Sequence, residues 1–269
     1  MLHAAGVALG WLAFLLVPRF RHALAHNLAQ AGYHDAALKH RAVGEIGKSL
    51  AELPVVWMRP LRKVAMLVRE TEGWEHITQA QQAGRPIIFL TPHLGCFEIT
   101  AQIYAFRAPI VKPITVLYRR PRKAAFTALI EERQRQKLKL APADLSGVRA
   151  LIRALKRGEA AGLLPDQTPR FGEGVWAPFF GRPAFTMTLP GRLVRAGHAQ
   201  LLLAYGERLS WGRGYRVVVR PFKDTLSDDL ATAAAQVNHA LESLIRECPA
   251  QYLWSYARYK VPAGVAPPP

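Results

Sequence analysis

Apolar and polar positions along this chain follow two different periods, and the switch between them marks out the elements. Residues 4–17, AAGVALGWLAFLLV, carry no charge, and the basic stretch PRFRH follows at once. Residues 21–30 and 35–57 repeat apolar positions every three or four residues. That pattern predicts amphipathic helices, with Pro54 and Pro60 bracketing the end of the second. Ile87–Leu90 is instead an unbroken apolar run between Pro86 and Thr91-Pro92, the pattern of a strand buried on both faces. CFEITAQIYAFR (96–107) returns to helical spacing through Phe97, Ala101, Tyr104 and Ala105, and Gly95 permits a tight turn before it.

The alternation continues down the chain. Strands are predicted over 110–118, over 158–166 ending at Asp166, and over 200–205 and 215–221; helices are predicted over 123–139, 145–157, 185–197 and 227–247. Repeated β–α units predict an α/β fold with a mostly parallel or mixed central sheet flanked by helices. Residues 171–177, FGEGVWA, match a dinucleotide-loop spacing formally. No long strand leads in and Pro178 cannot open a helix there, so they read as a loop. With no internal repeat or linker, the chain divides into an apolar anchor helix (1–20), one domain (21–262) and a disordered tail (263–269).

Charge narrows the partners. There are 36 Lys+Arg against 19 Asp+Glu in 269 residues, a net charge of +17, which calls for an anionic partner. The apolar start points to a membrane. Fourteen helical residues reach about 21 Å, short of the ~30 Å hydrocarbon layer, and the basic residues follow the run rather than precede it as in a signal peptide. This predicts a monotopic or marginally spanning anchor, with Arg19 and Arg21 holding the domain on the cytoplasmic side; the alternative is a buried core helix. Cys96 and Cys248 form no spaced cluster, which fits a reducing compartment and excludes a cysteine zinc site. P-loop, HExxH and GxSxG motifs are absent, which argues against nucleotide hydrolysis, zinc proteolysis and the hydrolase elbow. No cofactor is expected. Nucleic acid is not an expected partner either, because the aromatics sit mainly in apolar runs.

The candidate chemistry is a histidine followed five residues later by glutamate. About 0.6 chance matches to this spacing are expected at this composition, so spacing alone proves little. The chain holds two, His40–Glu45 and His93–Glu98. The first lies within one predicted helix, where five residues turn the side chains about 140° apart, and reads as a solvated face. The second has His93 in a strand-to-helix loop and Glu98 on the first helical turn, where ligands collect at the strand ends of parallel sheets. A neutral imidazole can take a proton from an attacking hydroxyl, with Glu98 fixing its tautomer. Arg119 or backbone N–H groups at the Gly95 turn are candidate oxyanion donors, and Asp166 is placed to hold Arg119 unless the two form a merely structural ion pair. Cys96, near the helix start, is either a nucleophile or a small packing residue.

PHLGCFEIT (92–100), VLYRRPR (116–122), LPDQ (164–167) with APFFGRPAFT (177–186), and QYLWSYARYK (251–260) resemble, in order, the blocks of the late-acting lipid A acyltransferases. These belong to the wider H-x4-[DE] lysophospholipid acyltransferase superfamily. The resemblance covers roughly residues 20–260. It implies a glycerolphosphate-acyltransferase-like fold and transfer of a fatty acyl chain from acyl carrier protein to a hydroxyl of a lipid A precursor, at the cytoplasmic face of the bacterial inner membrane. It places the catalytic pair on His93 and Glu98, and further site residues on Arg119 and Asp166. This chain departs from the pattern in its short apolar start and in SYARYK, where many relatives carry consecutive arginines. A lysophospholipid or other glycolipid acceptor, or a catalytically inert, basic, membrane-peripheral lipid-binding protein, are the alternative readings.

Overall fold

A computed structural model describes residues 2–107, 112–118 and 138–268. The apolar start forms helix α1 (Leu2–Leu16), and Pro18, which fits the first turn of a helix, opens α2 (Pro18–Gln30). The two axes bend by 100°. Asp35 caps α3 (Ala36–Met58) by accepting from Ala37 N and Leu38 N at 3.0 and 2.9 Å. Next come α4 (Leu61–Ala65), β1 (Val68–Glu72), α5 (Trp74–Gln82), β2 (Ile87–Leu90), α6 (Glu98–Phe106) and β3 (Ile114–Tyr118). They are followed by β4 (Leu138–Pro142), α7 (Leu145–Lys156), β5 (Ala160–Leu163), β6 (Gly174–Phe179), β7 (Arg182–Met187), α8 (Leu189–Gly197), β8 (Gln200–Arg208), β9 (Tyr215–Pro221) and α9 (Leu230–Glu247).

Seven strands form one sheet in the order β1-β9-β8-β2-β5-β3-β4, parallel throughout except for the β8–β9 pair. Side chains alternate across it. Ile88, Leu90, Leu203 and Val218 face a core completed by α2, α3, α7 and α9, while Ile87, Phe89, Leu202 and Val217 face one completed by α4, α5 and α6. The register that matters most joins β2 to β5, with Leu90 opposite Leu163. Thr91 N still donates to Leu163 O at 2.9 Å, so both chains leave the sheet side by side.

Several sequence expectations change. Residues 171–177 are not a loop throughout, because β6 begins at Gly174 and pairs antiparallel with β7. The hairpin turns on Phe180 and Gly181, both with positive φ, as a two-residue primed turn requires. Pro178 and Pro183, which look like strand breakers, sit opposite one another in this two-stranded ribbon, where missing donors are tolerated. The helix expected from 185 begins at Leu189, since Phe185–Met187 belongs to β7. Of the helix expected over 123–139, residues up to 137 lie outside the described ones, and Leu138 and Lys139 belong to β4.

The apolar start packs on the domain. Among the described residues no single helix is long and apolar enough to cross a membrane, and only the bent α1–α2 pair meets that test. α1 lies against α3 along a seam of glycines. A Cβ on Gly10 would stand 2.2 Å from Val43 O, and one on Gly47 2.0 Å from Gly6 O. Backbone contact this close needs both helices to lack side chains at the crossing. The outer face keeps Leu9, Leu12, Leu15 and Leu16 exposed. α1 is not a buried core helix: one face is fitted to the domain and the other is open and apolar.

Candidate active site

Equal offsets bring the site together. His93 lies three residues past Leu90 and Asp166 three past Leu163, and those leucines are paired in the sheet. The two loops thus deliver their side chains to one point. Asp166 Oδ1 lies 2.8 Å from His93 Nδ1, and Asp166 Oδ2 accepts from His93 N at 2.9 Å. One buried carboxylate fixes both the backbone and the ring of the histidine.

The other ring nitrogen selects the tautomer. A carboxylate can only accept, so Nδ1 carries the proton; Gln167 Nε2, 3.1 Å away, then donates to the Nε2 lone pair. The ring is held with Nε2 turned away from Asp166, and Phe97 packs on it with centroids 4.8 Å apart. Burial alone would push the Asp166 carboxyl up. The charge of His93, its two hydrogen bonds and the charge of Arg258 outweigh this and hold it below its ordinary value. Arg258, in the C-terminal block, is itself buried and donates to Phe185 O and Thr186 Oγ1, each at 2.7 Å.

The expected roles are redistributed accordingly. Asp166, expected beside Arg119, occupies the tautomer-fixing position expected of Glu98. Arg119 lies outside the described residues. Glu98 opens α6 as expected and lines the same cavity as His93. The backbone donors expected at the Gly95 turn are committed within the fold. Leu94 N donates to Pro92 O (2.7 Å), Gly95 N to Gln251 O (3.0 Å) and Cys96 N to Gly206 O (2.7 Å). Cys96 is buried, and burial first, then the carboxylate charge of Glu52, pushes its thiol well above the ordinary range. A thiol so placed stays protonated and suits packing, not attack.

Glu45 corrects the reading of the His40–Glu45 match. His40 is exposed and meets Trp11 edge-on, as a solvated position should, but Glu45 turns inward and accepts from Arg208 Nη1 at 2.5 Å. The sequence signal for Gln167, next to Asp166 at a strand end, was present in LPDQ but carried no weight without the register.

His93 opens onto a cavity of about 580 Å³. It extends across one face of the sheet past Phe89, Tyr104, Trp57, Ile77, Val217 and Val219, so most of its wall is hydrocarbon. Its polar lining includes Glu98, Thr100, Gln167 and Thr168, and also Asp144, Arg170, Glu173 and Arg192. An imidazole base on the wall of a mostly apolar cavity can activate a hydroxyl beside a bound aliphatic chain. Among the described residues no group of His, Cys, Asp and Glu side chains could hold a metal ion.

The model of the family described as bacterial lipid A biosynthesis acyltransferase matches residues 1–261. The lipid A biosynthesis lauroyltransferase of Escherichia coli (strain K12) is 27% identical over 274 residues, covering 98% of this chain and 87% of that protein. The lipid A biosynthesis palmitoleoyltransferase of the same organism is 27% identical over 237 residues, covering 86% and 76%. A lipid A biosynthesis acyltransferase of Haemophilus influenzae is 26% identical over 217 residues, covering 79% and 64%.

Proposed function

This chain belongs to the bacterial lipid A biosynthesis acyltransferase family and is an acyltransferase, and we propose that it moves a fatty acyl chain from the thioester of acyl carrier protein to a hydroxyl of a lipid A precursor. The observation that carries this reading is His93, its Nδ1 bound to Asp166, on the wall of the mostly apolar cavity.

In this mechanism the acyl chain lies in the cavity with its thioester carbonyl near His93. Nε2 takes the proton from the acceptor hydroxyl as its oxygen attacks the carbonyl carbon. Asp166 keeps Nδ1 protonated and stabilises the imidazolium that forms. The tetrahedral oxyanion then collapses, the C–S bond breaks, and the imidazolium returns its proton to the leaving thiolate. Because the turn's backbone donors are committed, oxyanion stabilisation falls to side chains. Arg119 and the Gln167 amide are the candidates, while Glu98 borders the acceptor's approach. The reaction takes place at the cytoplasmic face of the inner membrane, with the exposed leucines of α1 in the lipid surface and the +17 charge drawing in the acidic carrier and the anionic lipid.

The test is acylation by detergent-solubilised full-length protein given acyl carrier protein charged with a fatty acid and a sugar-linked lipid A precursor. Product mass should rise by one acyl group, with one carrier thiol released per product and no metal or nucleotide added. Acylation of lysophospholipid but never of the precursor would replace the acceptor. No product and no thiol with either lipid would end the enzymatic reading.

A further inference from the structure

Behind the turn that carries His93 lies a buried polar cluster that plays no part in the mechanism above. Arg208, the last residue of β8, sends its guanidinium into α3, where Glu45, Ser49 and Glu52 share one face. Nε and Nη2 donate to the two oxygens of Glu52 at 2.9 and 2.5 Å; Nη1 donates to Glu45 and Nη2 also to Ser49 Oγ (2.9 Å). Tyr215 OH adds a bond to Glu52 at 2.9 Å. The main chain of Arg208 is held as firmly. The Gln251 side chain accepts from Arg208 N at 2.8 Å and donates to Arg208 O at 2.9 Å, closing a ring on that residue.

Gln251 also faces the catalytic turn. Its carbonyl accepts from Gly95 N at 3.0 Å, Tyr252 bridges to Leu94, and Leu253 N donates to His93 O at 3.0 Å. Gly95 has φ +60, and a Cβ there would meet Gly206 O at 2.1 Å, so the turn lies flat on the end of β8 with no slack. Arg208 and Gln251 thus link α3 to the turn, which Glu52 also meets directly through the Cys96 thiol.

We propose that Arg208 and Gln251 form a positioning clamp, which fixes the turn of residues 93–96 against α3 and sets the angle at which His93 meets Asp166 and the substrate. This rests on the reading of His93 as the base. Arg208 anchors through charge, and Gln251 passes that fixed position to the turn; neither touches substrate. Displacements of about 1 Å at a catalytic group can cost up to ~10²-fold in rate, so a loosened clamp should be seen in turnover before binding.

The test uses Gln251→Met, which removes all three side-chain bonds to Arg208 while keeping volume and every charge. Steady-state transfer is measured together with the NMR signal of the His93 Nδ1–H proton in ¹⁵N-histidine-labelled full-length protein, assigned by its loss in His93→Gln. The variant should unfold cooperatively, keep KM for the acyl donor within about twofold, lose about 10-fold in kcat, and shift or broaden the Nδ1–H signal. Gln251→Glu keeps the acceptor for Arg208 N and should fall between Gln251→Met and the wild type. A folded Gln251→Met with wild-type kcat and an unmoved signal overturns the clamp. If Gln251→Met does not fold, Gln251→Glu decides on the same two readings. Retained transfer in His93→Ala would remove the general-base reading alone, because the Nδ1–H signal of Gln251→Met reports the turn whichever group is the base.

Discussion

Among the described residues, the two most deeply buried carboxylates each face a nitrogen base, and they are built for opposite ends. Asp166 meets His93 and Glu52 meets Arg208; both acids are about 2% exposed. Their partners differ. The His93 side chain is 15% exposed and turns its second nitrogen toward the cavity, whereas Arg208 is 1% exposed and spends its donors on Glu52, Glu45, Ser49 and Gln251. Burial alone would lower the basicity of Arg208, but the bonds and charge of Glu52, joined by the charge of Glu45, raise it beyond its ordinary value. The pair proposed to pass a proton leaves one ring atom uncommitted to its acid. A pair that must hold two elements together leaves none.

The sharpest way to break this comparison is to change one atom in each acid. Asp166→Asn would present an amide to His93, drive the proton onto Nε2 and leave the ring in the tautomer that cannot act as base. Turnover should fall on the order of 10³- to 10⁴-fold with the cooperative fold retained, measured by thiol release and thermal unfolding. Glu52→Gln should do the reverse. It leaves a buried guanidinium short of one charge, so stability should fall by about 3 kcal/mol in chemical denaturation, while turnover per folded molecule falls far less than in Asp166→Asn. Equal losses of rate in the two variants would dissolve the distinction.

The glycine seam gives a milder test of a contact held by shape alone. Gly10→Val places a branched side chain against Val43 O and should cost roughly 1–3 kcal/mol by overpacking. Leu12→Ala, on the exposed face of the same helix, should change stability by less than about 0.5 kcal/mol in detergent and weaken vesicle binding instead. If Gly10→Val is neutral, α1 does not sit on α3 in solution.

The smallest effect is in pH. The folded carboxyl of Asp166 is depressed, so its contribution to stability is complete above the unfolded carboxylate range, near pH 4, and is lost as pH falls through that range to the lower folded value. The gap in unfolding free energy between wild type and Asp166→Asn should therefore be widest at neutral pH and narrow below pH ~4. A gap that stays constant down to pH 3 would mean that Asp166 gains nothing from its ionised form.

Part of this was legible in the sequence because it depends on local pattern. The run Ile87–Leu90 read as a strand and is one, and His93 and Glu98 fell on the loop and first helical turn where the structure has them. The strand before Asp166 was legible as well, but it ends at Leu163, three residues short of the expected end, and Asp166 stands in the loop that follows. Its partner was not legible, because nothing local says that β5 lies beside β2 with Leu163 opposite Leu90. Sheet order is a long-range property, and with it went the assignment of Asp166 to His93. Glu45 and Glu52 were missed for a related reason. On a helix with basic neighbours they resemble solvated residues, and the cation that buries them comes from Arg208, more than 150 positions away. The β6–β7 ribbon was hidden by its own prolines, which oppose each other across the strands.

The seam between α1 and α3 also bears on how this protein can be shortened or recombined. A helix seated by the absence of methyl groups is recognised by its profile, so a foreign leucine-rich anchor of equal length and greater hydrophobicity would not fit the groove beside Gly44 and Gly47. Trimming the chain to Pro18 in search of a more tractable enzyme would uncover that groove and the flank of Val43, leaving a sticky furrow on the very helix that carries Glu45 and Glu52. The apolar start behaves as a keel fitted to this hull, and a workable truncation has to carry a replacement for it.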